Sequence, residues 1–168
     1  MLNRCRLQAF RKKIELTSSQ AVLVHNQENV FYLSGMRGLT DFDIVLLLTQ
    51  DQEYILTNIL YEEYLSKSKL DYQVCNNIFQ DIKQLISANK IQKLWIEGQH
   101  LPFDSYQKLK ANLEIEIATM GNLPKAIRMY KSPQEVEQIK RACQIADQAW
   151  LESLNFIKQG MTEKELAW

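Results

Sequence analysis

Ile44-Val45-Leu46-Leu47-Leu48-Thr49 is a continuous apolar run of strand length, without the alternation expected of a strand with one wet face. Gln50-Asp51-Gln52 separates it from Glu53-Tyr54-Ile55-Leu56-Thr57, and this spacing predicts an antiparallel hairpin. Strand-length and helical segments alternate around it. Ala21-Val22-Leu23-Val24, Tyr72-Gln73-Val74-Cys75, Lys93-Leu94-Trp95-Ile96-Glu97 and the stretch from Ile115 to Thr119 read as strands. Glu28 to Leu33, ending near Gly35, together with Tyr61 to Lys67, Ile78 to Asn89 and Phe103 to Leu113, read as helices. The connections are short, and a hairpin combined with helix-linked strands makes the sheet mixed. The expected class is therefore α/β, a mixed central sheet flanked by helices.

Both ends of the chain carry helical signals. Leu7, Phe10 and Ile14 form an inward stripe, with Arg4, Arg6, Arg11, Lys12 and Lys13 mostly around the other side as a solvated face. Near the carboxyl end, Ser132-Pro133-Gln134-Glu135 combines a capping serine, a proline at the first helical position and a glutamate that reaches back to the cap. Val136, Ile139, Cys143, Ala146, Trp150, Leu154 and Ile157 then recur at helical spacing, until Lys158 and Gly160 supply a cationic last turn and a left-handed stop. This pattern predicts one long helix with Cys143 as a small core residue. Its apolar side chains stand to gain ~1.5–3 kcal/mol each on burial, on the order of 10 kcal/mol for the shared face, so a cover for that face is expected. Thr162-Glu163-Lys164-Glu165 repeats the capping box, yet the sequence stops at Trp168. A helix needs roughly 12–15 residues to hold without tertiary support, so the 168 residues are expected to be part of a longer protein. The turn formers Gly121-Asn122-Leu123-Pro124 mark the expected boundary between two domains.

Charge and composition exclude several function classes. Lys and Arg total 20, Asp and Glu total 20, so no net field draws the chain to nucleic acid or to an anionic membrane. No apolar run approaches the ~20 residues of a membrane span, and a cytoplasmic location is expected. Cys5, Cys75 and Cys143 are odd in number and scattered, which argues against a disulfide framework or a structural zinc site.

Candidate chemistry is sparse. His25 and His100 are the only imidazoles; neither has metal-ligand spacing, and both read as satisfied loop positions. No phosphate-binding glycine motif is present. Asp41 and Asp43 flank Phe42 at an i, i+2 spacing, which reads first as capping of the turn into the strand at Ile44 and second as a carboxylate pair. Arg37 lies between Gly35 and Gly38, glycines that let a guanidinium project from a mobile loop.

Several segments, taken in order, resemble one family. They are Asn29-Val30-Phe31-Tyr32-Leu33-Ser34-Gly35, then Leu56-Thr57-Asn58, Trp95-Ile96-Glu97-Gly98, Ile127-Arg128-Met129-Tyr130-Lys131-Ser132-Pro133-Gln134-Glu135 and Gly160-Met161-Thr162-Glu163. Their order and intervals are similar to those of the Xaa-Pro peptidases, which include prolidase and aminopeptidase P, with creatinase as a relative. The resemblance implies a creatinase/prolidase-type amino-terminal α/β domain at 1–124, followed at 125–168 by the opening helices of a truncated pita-bread catalytic domain. It implies a parent enzyme that hydrolyses the bond preceding proline in short peptides, using two divalent metal ions of the Mn, Co or Zn kind. The two aspartates, histidine and two glutamates that hold those ions in the family all lie downstream, so no catalytic residue or metal ligand is implied within residues 1–168, and the segment alone is expected to be inactive.

By the same resemblance, the amino-terminal domain contacts a partner subunit in a homodimer, and the loop after Gly35 lies at the entrance to the active site. Arg37, Asp41 and Asp43 are thereby implied as entrance residues. A creatinase-type amidinohydrolase and a non-enzymatic binding module of the same fold remain open alternatives. The chain also departs from the family: many relatives read T-D-x-R-Y where Thr57-Asn58-Ile59-Leu60-Tyr61 stands, and Gln159 replaces a proline common before the glycine. The first change removes an acid and an arginine, so a charge pair expected there cannot form.

Overall fold

The apolar run at 44–48 lies in the middle of a sheet. The structure, a computed structural model, describes residues 4–40, 42–68 and 70–167. Among these residues the strands are β1 (Gln20–Val24), β2 (Ile44–Leu48), β3 (Glu53–Thr57), β4 (Gln73–Val74), β5 (Lys93–Ile96) and β6 (Glu116–Thr119), and they lie side by side as β4-β3-β2-β1-β5-β6. β2 is antiparallel to both neighbours, with Leu46 opposite Val24 on one side and Ile55 on the other. The β1–β5, β5–β6 and β3–β4 pairs are parallel. The mixture follows from the connections: a tight turn joins β2 to β3, whereas parallel neighbours need a crossover.

Every residue of β2 is buried because both faces of the sheet are covered. On one face Val22, Val24, Ile44 and Leu46 pack with Leu7 and Phe10 of α1 (Arg4–Lys13) and with Val30 and Leu33 of α2 (Gln27–Ser34). On the other, Ala21, Leu23, Val45 and Leu47 pack with Ile82 and Ile86 of α4 (Ile78–Ala88) and Leu109 of α5 (Phe103–Asn112). A 3-10 turn (Ile59–Tyr61) and α3 (Glu62–Ser66) lie between β3 and β4.

The basic face of α1 is less solvated than its composition predicts. Arg11 donates from Nε to the Thr49 carbonyl (2.7 Å) and from a terminal nitrogen to the Gln52 carbonyl (2.6 Å) and the Glu53 carboxylate (2.9 Å), tying α1 to the β2–β3 turn. Arg6 donates to the Tyr32 carbonyl (2.8 Å), and its guanidinium lies 4.2 Å from the Tyr32 ring centroid. These two cations are committed within the fold.

The chain divides into two compact units, one ending at Arg128 and one beginning at Met129. Where the turn formers at 121–124 predict irregular chain, α6 (Leu123–Met129) forms directly after Gly121, which takes φ +58°, with Pro124 tolerated in its first turn. In the second unit, α7 (Pro133–Leu154) starts from the expected capping box, in which Ser132 and Glu135 bond each other's backbone N–H. It ends sooner than Ile157. Ser153 turns its hydroxyl back onto the Trp150 carbonyl (2.7 Å), and Asn155 and Phe156 bond Glu152 and Ser153 in tightened i to i+3 turns. Gly160 takes the left-handed conformation (φ +87°) but does not cap the helix. α8 (Glu163–Leu166) is capped by Thr162 and Glu165 in the same reciprocal way. Cys143, expected in a core, is exposed, as are Val136, Ile139, Trp150, Leu154 and Ile157. No helix among the described residues is long and apolar enough to cross a membrane.

Phe10 is among the largest fully buried side chains and joins α1 to the sheet. Phe10→Ala should destabilise the first unit by about 3–5 kcal/mol, read as a lower urea midpoint at unchanged slope.

Candidate functional site

From the carboxyl end of β1 the chain leaves through α2 on one face of the sheet; from the carboxyl end of the adjacent, parallel β5 it leaves through α5 on the other. Open α/β sheets form a crevice for ligands where neighbouring strands diverge in this way. Here the crevice holds a side chain of the protein itself. Glu97 follows β5, is 2% exposed, and accepts hydrogen bonds at Oε2 from the backbone N–H of His25 (2.6 Å) and Asn26 (2.8 Å). Its Oε1 accepts from Asn29 Nδ2. Asn26 is the cap of α2, so an internal carboxylate occupies the anion-favouring start of that helix.

The carboxylate also orients what lies beyond it. An ionised carboxylate only accepts, so Asn29 must turn its amide NH2 inward, leaving Oδ1 to accept from Arg128 of α6 (2.7 Å). Glu97, Asn29 and Arg128 therefore form a one-way chain from β5 through α2 to α6. Burial pushes the Glu97 pKa up, while the bonds from Asn26, His25 and Asn29 pull it partly back; the net shift is upward. A pocket of about 390 Å³ opens in front of this chain, lined by Glu28, Asn29, Glu97, His100, Lys125 and Arg128.

His25 is not the satisfied loop residue that its place in the sequence predicts. It is fully buried, and neither ring nitrogen has a hydrogen-bond partner among the described residues. Its Nε2 stands 4.0 Å from Glu97 Oε2, and its ring stacks on Phe42 at 4.6 Å with planes within 10°. Burial, then the neighbouring His100, lower its pKa to about 4, against a smaller opposing effect of the Glu97 main chain. The ring is neutral at neutral pH and serves as an aromatic packing surface. Among the described residues no three His, Cys, Asp or Glu side chains are grouped so as to hold a metal ion.

The turn after α2 presents the residues singled out in the sequence. Gly35 takes φ +77° and closes α2 by donating its N–H to the Phe31 carbonyl (2.8 Å). Gly38 has a different reason to be glycine: a Cβ there would stand 2.6 Å from Asp43 Cβ and 3.1 Å from Gln27 Oε1. One glycine is a helix stop and the other a packing contact, so neither serves to loosen the loop. Arg37 is exposed between buried Met36 and buried Gly38. Asp43 Oδ2 accepts from the Thr40 N–H (2.5 Å) and the Tyr61 hydroxyl (2.8 Å), and Oδ1 accepts from Asn58 Nδ2 (3.4 Å). Burial alone would raise its pKa, but the bonds from Thr40 and Tyr61 outweigh it and the carboxyl is shifted down. Asp41 lies outside the described residues.

Asn58 accounts for one departure noted above. Its Oδ1 caps the 3-10 turn through the Leu60 N–H (3.0 Å) while its NH2 faces Asp43. An acid at 58 would set a second negative charge beside Asp43, with leucine at 60 in place of an arginine to offset it.

A family profile described as the creatinase/prolidase N-terminal domain matches residues 6–130. The chain belongs to that family. Relatives include the Xaa-Pro dipeptidase of Pyrococcus horikoshii, 27% identical over 92% of this chain and 43% of the relative, and that of Pyrococcus furiosus, 28% identical over 96% and 45%. Among solved structures, an Xaa-Pro dipeptidase from Bacillus anthracis aligns with a TM-score of 0.81 at 25% identity, over 97% of this chain and 46% of that one. The chain thus spans less than half the length of these relatives.

In this creatinase/prolidase N-terminal domain, the sequence points to Arg37, Asp41 and Asp43 as entrance residues, places Asn29, Glu97 and Arg128 only within family-like segments, and gives no sign of Gln27. A signal existed for Glu97, an acid closing the apolar strand Leu94-Trp95-Ile96 and followed by a glycine. Gly98 leaves no room for a side chain, since a Cβ would stand 2.7 Å from Thr119 Oγ1.

Two outcomes follow from these electrostatics. The folded-state pKa of His25, about 4, lies below the ordinary 6.5, so its contribution to stability is complete above pH 6.5 and lost as pH falls toward 4, on the order of 3 kcal/mol. Glu97, shifted upward, acts in the opposite sense, favouring the fold as pH falls from its folded value toward 4.5. His25→Leu should flatten the loss between pH 6.5 and 4 in urea titrations; an unchanged slope would assign that loss to other groups. Asn58→Asp should lower stability by about 0.5 kcal/mol at pH 7, a deficit that shrinks as the medium is acidified through the carboxylate range.

Proposed function

We propose that this chain is the non-catalytic amino-terminal part of a metal-dependent Xaa-Pro peptidase whose longer chain cleaves the bond preceding proline in short peptides. The reading rests on one observation. Similarity to an Xaa-Pro dipeptidase continues through 97% of this chain, past the α/β unit and into the helices after Ser132, while covering 46% of the other protein. On this reading, residues 1–124 form the amino-terminal domain and 125–168 open the pita-bread catalytic domain. The two divalent ions then belong to residues further along the longer chain, as the family resemblance implies.

The amino-terminal domain then acts by shape and contact in a cytoplasmic homodimer. Arg37, Asp41 and Asp43 belong to the loop at the active-site entrance, where the exposed Arg37 meets peptide and Asp43 holds the backbone at Thr40. The exposed apolar stripe of α7, with Ile157 just beyond it, supports a longer chain, since burial of Val136, Ile139, Trp150, Leu154 and Ile157 by a catalytic domain would contribute on the order of 10 kcal/mol.

The test begins with the longer reading frame, which should carry two aspartates, one histidine and two glutamates in the family's order. The enzyme should cleave Xaa-Pro peptides, leave creatine untouched and lose activity on chelation, while residues 1–168 alone should show no hydrolysis with Mn, Co or Zn added. Cleavage of creatine in place of peptides would transfer the assignment to the amidinohydrolases. In the active enzyme, Arg37→Ala should change KM across a series of peptide lengths by roughly threefold or more, the scale of a lost exposed charge contact, with kcat kept. A flat series would remove Arg37 from the entrance.

A further inference from the structure

Three consecutive amides in the turn after α2 are each held by a side chain from a different element. Gly38 donates its N–H to Gln27 Oε1 (2.7 Å) in the first turn of α2, Leu39 to the Tyr61 hydroxyl oxygen (2.8 Å) at the end of the 3-10 turn, and Thr40 to Asp43 Oδ2 (2.5 Å) just before β2. The acceptors are themselves fixed. Gln27 is 6% exposed, and its Nε2 donates to the carbonyls of His25 (3.2 Å) and Ile44 (3.4 Å). The Tyr61 hydroxyl donates to Asp43 (2.8 Å) while accepting from Leu39, so two of the three holds are coupled. On the amino side, the Met36 N–H is held by Ser34 Oγ (3.0 Å), which in turn donates to the Val30 carbonyl (2.7 Å).

This is an unusual commitment for a surface turn. Leu39 is 91% exposed, and water is at hand to satisfy its backbone, yet the amide bonds within the protein. Gly38 is packed so closely against Gln27 and Asp43 that no side chain fits. The segment has the marks of preorganisation, in which backbone order is set before a ligand arrives and binding costs less entropy.

We infer that Gln27, Tyr61 and Asp43 are positioning residues that hold residues 36–40 as a fixed frame, so that Arg37 meets an incoming peptide from a set point and does not swing on a lid. The inference rests on the entrance reading for Arg37. A rigid frame turns one guanidinium into a ruler, because a displaced or longer peptide cannot draw the arginine along with it.

Amide hydrogen exchange of residues 38–40, followed by NMR in the 168-residue chain, tests the frame directly. All three should exchange at least about tenfold more slowly than an unstructured peptide. Gln27→Ala should release Gly38, and Tyr61→Phe should release Leu39, with β2 protection intact in both. The tyrosine variant loses only a hydroxyl and keeps the test valid if Gln27→Ala fails to fold. Exchange of the three amides at the unstructured rate in the unmodified chain would overturn the frame.

In the longer enzyme, Gln27→Ala should shift KM across a peptide-length series in the same direction as Arg37→Ala, with kcat unchanged, and add nothing once Arg37 is gone. An equal Gln27 effect in both backgrounds would overturn the positioning role. Protected amides combined with a flat Arg37→Ala series would instead remove the entrance reading, and with it the purpose assigned to the frame.

Discussion

The buried carboxylate of Glu97 is the interaction on which the arrangement around the site depends. An ionised group with 2% exposure is tolerable only when its oxygens are saturated with donors, and the amino-terminal end of a helix is the nearest supply of unpaired N–H groups. Satisfying Glu97 thus fixes the start of α2, and with only eight residues in α2 it also fixes where the turn at Gly35 emerges. The same demand sets the sense of the Asn29 amide and so holds Arg128 at the end of the first unit. Removing the carboxylate while keeping its neighbours would leave the two backbone N–H groups, one amide and a guanidinium without their order. Such a set is cooperative in both directions.

His25 belongs to the same balance. A second polar group beside a buried carboxylate would ordinarily become its ion-pair partner, yet the imidazole stays 4.0 Å away, and neither nitrogen has a hydrogen-bond partner among the described residues. Glu97 already spends its oxygens on backbone and Asn29, and a charged imidazole in that position would have to be desolvated as well. The neutral ring instead gains a stacking partner in Phe42, whose own φ of +69° is a costly conformation for a side chain of that size. The stack and the left-handed backbone are two sides of one local compromise: the turn brings Phe42 back over β1 and covers the imidazole.

The order of strands and helices was legible in the sequence because burial on both faces leaves a periodic record. Ile44 to Leu48 is uniformly apolar for that reason, and the capping boxes at Ser132 and Thr162 appear in the structure as read. Local competition was harder to read. α6 forms through residues that look like turn punctuation, and α7 stops at Leu154, where the Ser153 hydroxyl bonds the Trp150 carbonyl and the Asn155 N–H turns to the Glu152 carbonyl, although the apolar spacing runs on to Ile157. The site was legible in part. Arg37 and Asp43 stood out by type and by neighbouring glycines, whereas Glu97, Asn29 and Gln27 act through partners 11 to 72 positions away, which spacing along the chain does not reveal.

The two glycines of the turn show how one residue type misleads when it is read by composition alone. Glycine lowers the barrier to motion in an open chain, but it also permits the left-handed stop at Gly35 and the close approach at Gly38, and both of these constrain the backbone. Once Gly38 lies against Gln27 and Asp43, the amides on its carboxyl side come within reach of Tyr61 and Asp43, and a hydroxyl that accepts from one and donates to the other joins them. Rigidity at this position therefore grows out of the absence of a side chain.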